Sequence, residues 1–160
     1  MAVTLRESAL RVQDFLAAKG FAFEVVELPG STRTAQEAAD SIGCEVAQIA
    51  KSLVFRDQET GLPVLVIASG SNRVDLAKIE QQTGMKLGKA DGSYVKEKVG
   101  FAIGGIPPAG HSKPLQTLLD TDLKNYGVIW AAAGTPFAVF KLKPADLEPL
   151  TNGRWMSLSE

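Results

Sequence analysis

Near the N-terminus the apolar positions Leu5, Ala9, Val12 and Leu16 recur at intervals of four, three and four. That spacing lines one face of an amphipathic helix, and Gly20 is placed to close it. Residues 21–28, FAFEVVEL, then read as a strand stopped by Pro-Gly-Ser. Thr34 with Glu37 three residues on marks a capping box for a second helix, which ends at Gly43. A short EVAQIA turn leads into KSLVFRD and PVLVIAS, residues 51–57 and 63–69, two strands joined across a QETG loop. The second is almost continuously apolar, which predicts a central strand. Asp75 and Gly84 bracket another helix, and DGSYVKEKVG predicts a short one. LQTLLD, GVIWAAAG and PFAVFKL are three more strand-like segments before a closing helical turn in KPADLEPLTNG. The order predicts an α+β fold with a central mixed or mostly antiparallel sheet flanked by helices, and all 160 residues in one domain.

One stretch fits neither period. Residues 99–114, VGFAIGGIPPAGHSKP, hold four glycines, three prolines, the chain's single histidine and no acid. Proline removes a backbone donor and glycine gives up backbone order, so the stretch continues neither helix nor strand. Its apolar start, Val99, Phe101, Ala102 and Ile103, sends it into the core first. Gly104 and Gly105 let main-chain N–H groups approach a ligand closely, and Pro107 and Pro108 hold the loop stiff. Backbone donors fixed in this way polarise a carbonyl or hold a developing oxyanion.

Composition narrows the function classes. The chain is 45% hydrophobic and 22% charged, as an ordinary globular protein is, and its apolar runs are far too short to span a membrane. The N-terminus lacks the apolar core of a signal peptide and the chain has a single cysteine, so a cytoplasmic protein without an internal disulfide is expected. A net charge of −1 argues against coating nucleic acid by bulk electrostatics. The distribution is uneven, however. Lys86, Lys89, Lys96, Lys98 and Lys113 face only Asp91 and Glu97, a segment of +3 that runs into the glycine–proline loop.

With one histidine and one cysteine, a nitrogen/sulfur metal site is close to excluded, and no cofactor or metal is expected. TGMKLGKA misses the phosphate-binding loop by one glycine spacing and by Ala90 in place of Ser or Thr. A Cys44–His111 dyad is disfavoured, because Glu45 raises a thiol's pKa. Lys51 stands apart. It opens an apolar strand with no acid in the preceding AQIA, as a lysine snorkelling to solvent or as a fixed cation for an anionic or carbonyl-bearing ligand.

IAKSLVF, VLVIASGSNRVDLAKI, GFAIGGIPPAGH and VIWAAAGTPFAVFKLKPADLEPLT together resemble, over about the whole chain, the YbaK/EbsC family of aminoacyl-tRNA deacylases. The same domain occurs as the editing insertion of bacterial prolyl-tRNA synthetases. The resemblance implies a metal-independent trans-editing hydrolase that cleaves the ester of mischarged tRNA, with the 3′ acceptor end as ligand and an aminoacyl-tRNA synthetase as a further partner. It implies that Lys51 holds the 3′ end, that Gly104, Gly105 and Ile106 orient the aminoacyl carbonyl, and that a water attacks. Ser52, Pro107, Pro108, Gly134 and Thr135 are then expected around the same pocket. His111 joins them as a branch-specific residue of PPAGH whose role does not carry over. Two other classes stay open: a non-catalytic tRNA- or synthetase-binding module of this fold, and a small-molecule hydrolase or nucleotide-binding protein built on it.

Overall fold

The computed structural model describes residues 7–160, so Leu5 lies outside the described residues. The first helix, α1 (Glu7–Ala18), buries Ala9, Val12 and Leu16, the face read from their spacing. Strand β1 is shorter than expected, only Val25–Glu27. Phe21 and Phe23 stack on each other at 5.1 Å and pack against the core, ahead of the sheet. In α2 (Ala35–Ile42) the Thr34 hydroxyl accepts from the Glu37 N–H at 3.1 Å, satisfying one of the donors a helix start leaves open.

The centre of the sheet is the hairpin of β2 (Ile49–Asp57) and β3 (Pro63–Ser69). Residues 64–69 of β3 are all buried, because helices cover both sides of it. Leu65 and Ile67 face α1 and the 101–109 loop, whereas Val64, Val66 and Ala68 face Ile79 and Leu158. At about 1.5–3 kcal/mol per fully buried aliphatic side chain, this strand anchors the core. Around it follow α3 (Leu76–Thr83), β4 (Leu87–Lys89), α4 (Gly92–Val99), β5 (Gln116–Asp120), β6 (Ile129–Ala132), β7 (Ala138–Leu142), α5 (Pro144–Thr151) and β8 (Arg154–Met156). The strand order is β1-β7-β6-β2-β3-β5-β8, with β4 paired to β2 outside that path. Antiparallel pairings (β1–β7, β2–β3, β2–β4, β6–β7) and parallel ones (β2–β6, β3–β5, β5–β8) coexist, so the sheet is mixed.

One consequence of this order positions the site. One edge of β2 is paired to β3 from Ala50 to Arg56. The other is shared: β6 takes Ile49 and Ala50, and β4 takes Phe55, Arg56 and Asp57. Between them, no strand among the described residues lies beside 51–54 on this edge. No helix among the described residues is long and apolar enough to cross a membrane.

Candidate active site

A cavity of about 320 Å³ fills that gap. It runs along the edge of β2, not over one face, which is why successive residues from Ile49 to Phe55 all line it. Thr32 and Arg33, Ile103, Gly104 and Ile106 of the glycine–proline loop, and Val95 and Trp130 also contribute to the wall. Among the described residues, Lys51 and Arg33 are its two cations, and no Asp or Glu lines it. Such a wall favours an anionic or carbonyl-bearing ligand.

Lys51 is half-buried at the mouth of β2, and its ammonium donates to the Asn72 carbonyl at 2.6 Å. Burial pulls its pKa below the usual lysine value, and the Asp120 carboxylate pulls it back up. Asp120, only 1% exposed at the end of β5, organises the turn that carries Asn72. It accepts from the Ser69 N–H at 3.0 Å, the Asn72 side-chain amide at 2.8 Å and the Asp122 N–H at 3.0 Å. Asn72 also donates to Asp122 at 2.8 Å. A buried carboxylate thus fixes the carbonyl that fixes the lysine.

In the loop, Gly104 has φ 100°, a conformation open to glycine, and lines the cavity beside Arg33. A Cβ there would lie 3.1 Å from Arg33 Cγ. Gly105 is turned away from the cavity. Its N–H donates to Ala102 O at 3.2 Å, its carbonyl accepts from Gly134 at 2.8 Å, and a Cβ would stand 2.8 Å from the main chain of Thr135. Close backbone packing is therefore the work of this glycine, not the presentation of a free amide. Pro107, Pro108, His111, Gly134 and Thr135 likewise lie behind the wall. His111 Nε2 meets the Pro107 carbonyl at 2.7 Å; a carbonyl only accepts, so Nε2 carries the proton. Burial lowers the His111 pKa, and the bond to Pro107 raises it by less. The ring also stands edge-on to Phe101, so it staples the two halves of the loop together.

Of the residues expected from sequence, Lys51, Ser52, Gly104 and Ile106 meet at the cavity. Cys44 does not; its thiol is pushed up by burial, eased by a main-chain hydrogen bond and raised again by Glu45. Arg33, Thr32, Trp130, Asn72 and Asp120 were not singled out by sequence. The hydroxyls of Thr32 and Ser52 are buried with no hydrogen-bond partner among the described residues, and both residues line the cavity. Among the described residues, no group of three His, Cys, Asp or Glu side chains is placed to hold a metal ion.

Residues 30–150 match the family model of the aminoacyl-tRNA editing domain. The chain belongs to that family. Within it, a solved structure of a candidate trans-editing enzyme for prolyl-tRNA synthetase superposes with a TM-score of 0.91 and 49% identity, over 98% of this chain and 99% of the other. The candidate Cys-tRNA(Pro)/Cys-tRNA(Cys) deacylase EbsC of Enterococcus faecalis is 30% identical over 129 residues, 79% of this chain and 77% of EbsC. The proline–tRNA ligase of Limosilactobacillus fermentum is 33% identical over 110 residues, 66% of this chain but 19% of the ligase. These relatives place the chain in the YbaK/EbsC branch of editing domains.

Proposed function

We propose that this cavity hydrolyses the ester between a wrongly attached amino acid and the 3′ end of tRNA, as a trans-editing deacylase. The observation that carries the reading is the fixed Lys51 ammonium in an acid-free cavity with Gly104 and Ile106 of the loop on its wall, in a chain of the aminoacyl-tRNA editing family. Lys51 and Arg33 hold the phosphate of the terminal nucleotide. Main-chain N–H groups at Gly104 and Ile106 orient the aminoacyl carbonyl and stabilise the oxyanion as water adds to it. The acyl–oxygen bond breaks, the 3′ oxygen takes a proton, and the free amino acid leaves. Gly105, Pro107, Pro108, His111, Gly134 and Thr135 serve by holding the loop in shape, and Ser52 lines the pocket. All 160 residues act together as one editing domain.

Only a single-stranded 3′ end has to enter, so a net charge of −1 is no obstacle. Val95 of α4 lines the cavity while Lys96 and Lys98 of the same helix are exposed, so this basic helix borders the entrance and steers the acceptor stem. The reading places the protein in the cytoplasm, with mischarged tRNA and an aminoacyl-tRNA synthetase as partners. The test is a panel of mischarged tRNAs, beginning with cysteine, the amino acid in the E. faecalis relative's name. Catalysed release from at least one member supports the reading, and release from none contradicts it.

A further inference from the structure

The unpaired stretch of β2 exposes particular main-chain groups, and the phase of the ladder identifies them. Asp57 closes the hairpin with its N–H on Leu62 O at 2.9 Å and its carbonyl accepting from Gly61 at 2.7 Å. Asp57 therefore points its main-chain groups at β3, and so do Phe55, Leu53 and Lys51 at every second position of the regular register. The alternate residues point to the opposite edge. Gln58 donates to Lys86 O at 2.9 Å on the β4 side, and Ala50 pairs with Ala131 of β6. Ser52 lies between these two neighbours and has neither. Its N–H and carbonyl, with the N–H of Val54, open onto the cavity that both residues line. The Ser52 hydroxyl is also buried without a partner. Buried main-chain groups left unpaired are costly, so their exposure here points to a ligand that pairs with them.

The gap is one residue long in hydrogen-bonding terms. A residue of an antiparallel strand exchanges two bonds with the residue opposite, N–H to carbonyl and carbonyl to N–H. An aminoacyl ester carries the same pair, an α-amino donor and a carbonyl acceptor on one extended unit. We propose that the aminoacyl group docks on the open edge of β2 as a one-residue strand, its amino group donating to the Ser52 carbonyl and its carbonyl oxygen shared between the Ser52 N–H on one side and the loop amides of Gly104 and Ile106 on the other, with the Val54 N–H beside it. This rests on the deacylase reading above. It assigns recognition of the part common to all amino acids to β2, and it requires an α-nitrogen that carries a hydrogen.

Amide hydrogen exchange on isotopically labelled protein tests the pairing. The probe is 3′-deoxy-3′-(L-alanylamino)adenosine, a non-hydrolysable mimic of the aminoacyl terminus, and 3′-amino-3′-deoxyadenosine is the control. In the free protein the Ser52 and Val54 amides exchange about a hundredfold faster than those of Lys51 and Leu53, which lie in the β3 ladder. The mimic slows both at least about tenfold, the control leaves them unchanged, and a 3′-propionylamino analogue, which has no α-amino group, loses most of the effect. Equal protection of all four amides in the free protein overturns the proposal. So does silence of Ser52 and Val54 at millimolar mimic, or a propionyl analogue that works as well. If mischarged tRNA is cleaved while these amides stay silent, the docking mode falls and the deacylase reading stands. If the amides respond but no ester in the panel is cleaved, the docking stands and the catalytic reading falls.

Discussion

The Lys51 ammonium is bound by the main-chain carbonyl of Asn72 at 2.6 Å, and Asn72 is tied in turn to the buried Asp120. The cavity's inner cation is thus set by the turn after β3 and the end of β5, elements remote from it in sequence. Asp120→Asn replaces an acceptor of three donors with a group that accepts fewer, at a cost of about 1–3 kcal/mol. Asn72→Ala keeps the carbonyl but frees the turn, with about 1 kcal/mol lost. Both variants are expected to lower deacylation roughly tenfold through misplacement of Lys51. Melting temperature and rate on the same preparations check this. Full activity in a folded Asn72→Ala protein would show that the turn does not position the lysine.

The two adjacent glycines should separate. Gly105→Ala drives a Cβ into the Thr135 main chain at 2.8 Å, where nothing flexible gives way, so the domain loses stability by about 1–3 kcal/mol. Gly104→Ala meets only the flexible Arg33 stem, but strains a residue at φ 100° and alters the cavity wall. Its main loss is expected in turnover. Paired melting and rate measurements distinguish them, and identical profiles for the two would contradict the assignment of separate roles.

His111 gives a pH signature. Its folded-state pKa lies below its ordinary value of 6.5, because burial disfavours the imidazolium. As pH falls below 6.5, the unfolded chain binds a proton that the folded chain does not, so this group destabilises the fold progressively until pH reaches the folded-state value. Above 6.5 it contributes no pH dependence. His111→Gln should remove this part of the acid sensitivity, seen as a flatter plot of melting temperature against pH. A slope unchanged by the substitution would place the sensitivity elsewhere.

Cys44 lies outside the cavity with its thiol pushed up, so Cys44→Ser is expected to keep deacylation within about twofold. A loss of about a hundredfold, the scale of removing a catalytic group, would contradict this.

Local signals carried much of the fold. Periodicity found α1, capping side chains found the starts of α2 and α3, and the continuous apolar run found the central β3. Strands β4 and β8 were not legible, since LGK and RWM carry no strand period and owe their conformation to neighbours already in the sheet. Site residues divided in the same way. Lys51 and the glycine–proline loop stand out by residue type. Asn72 acts through a carbonyl that every residue has, and Asp120 through burial that spacing does not reveal. Residues Gly134 and Thr135 were expected on the pocket wall but abut Gly105 from behind, a contact set by how β6 turns into β7.

On the proposed function, deacylation depends on a positioned Lys51. The direct measurement is amino-acid release from the mischarged tRNA that the wild-type protein cleaves best, compared for wild type and Lys51→Ala at matched concentration, with melting temperatures of both. Lys51 is half-buried and makes one hydrogen bond, so its removal should change stability by no more than about 1 kcal/mol. Loss of the contact that places the ester should cost on the order of a hundredfold in rate. A folded Lys51→Ala protein with little remaining turnover is the predicted result. A folded variant with wild-type turnover would contradict the account.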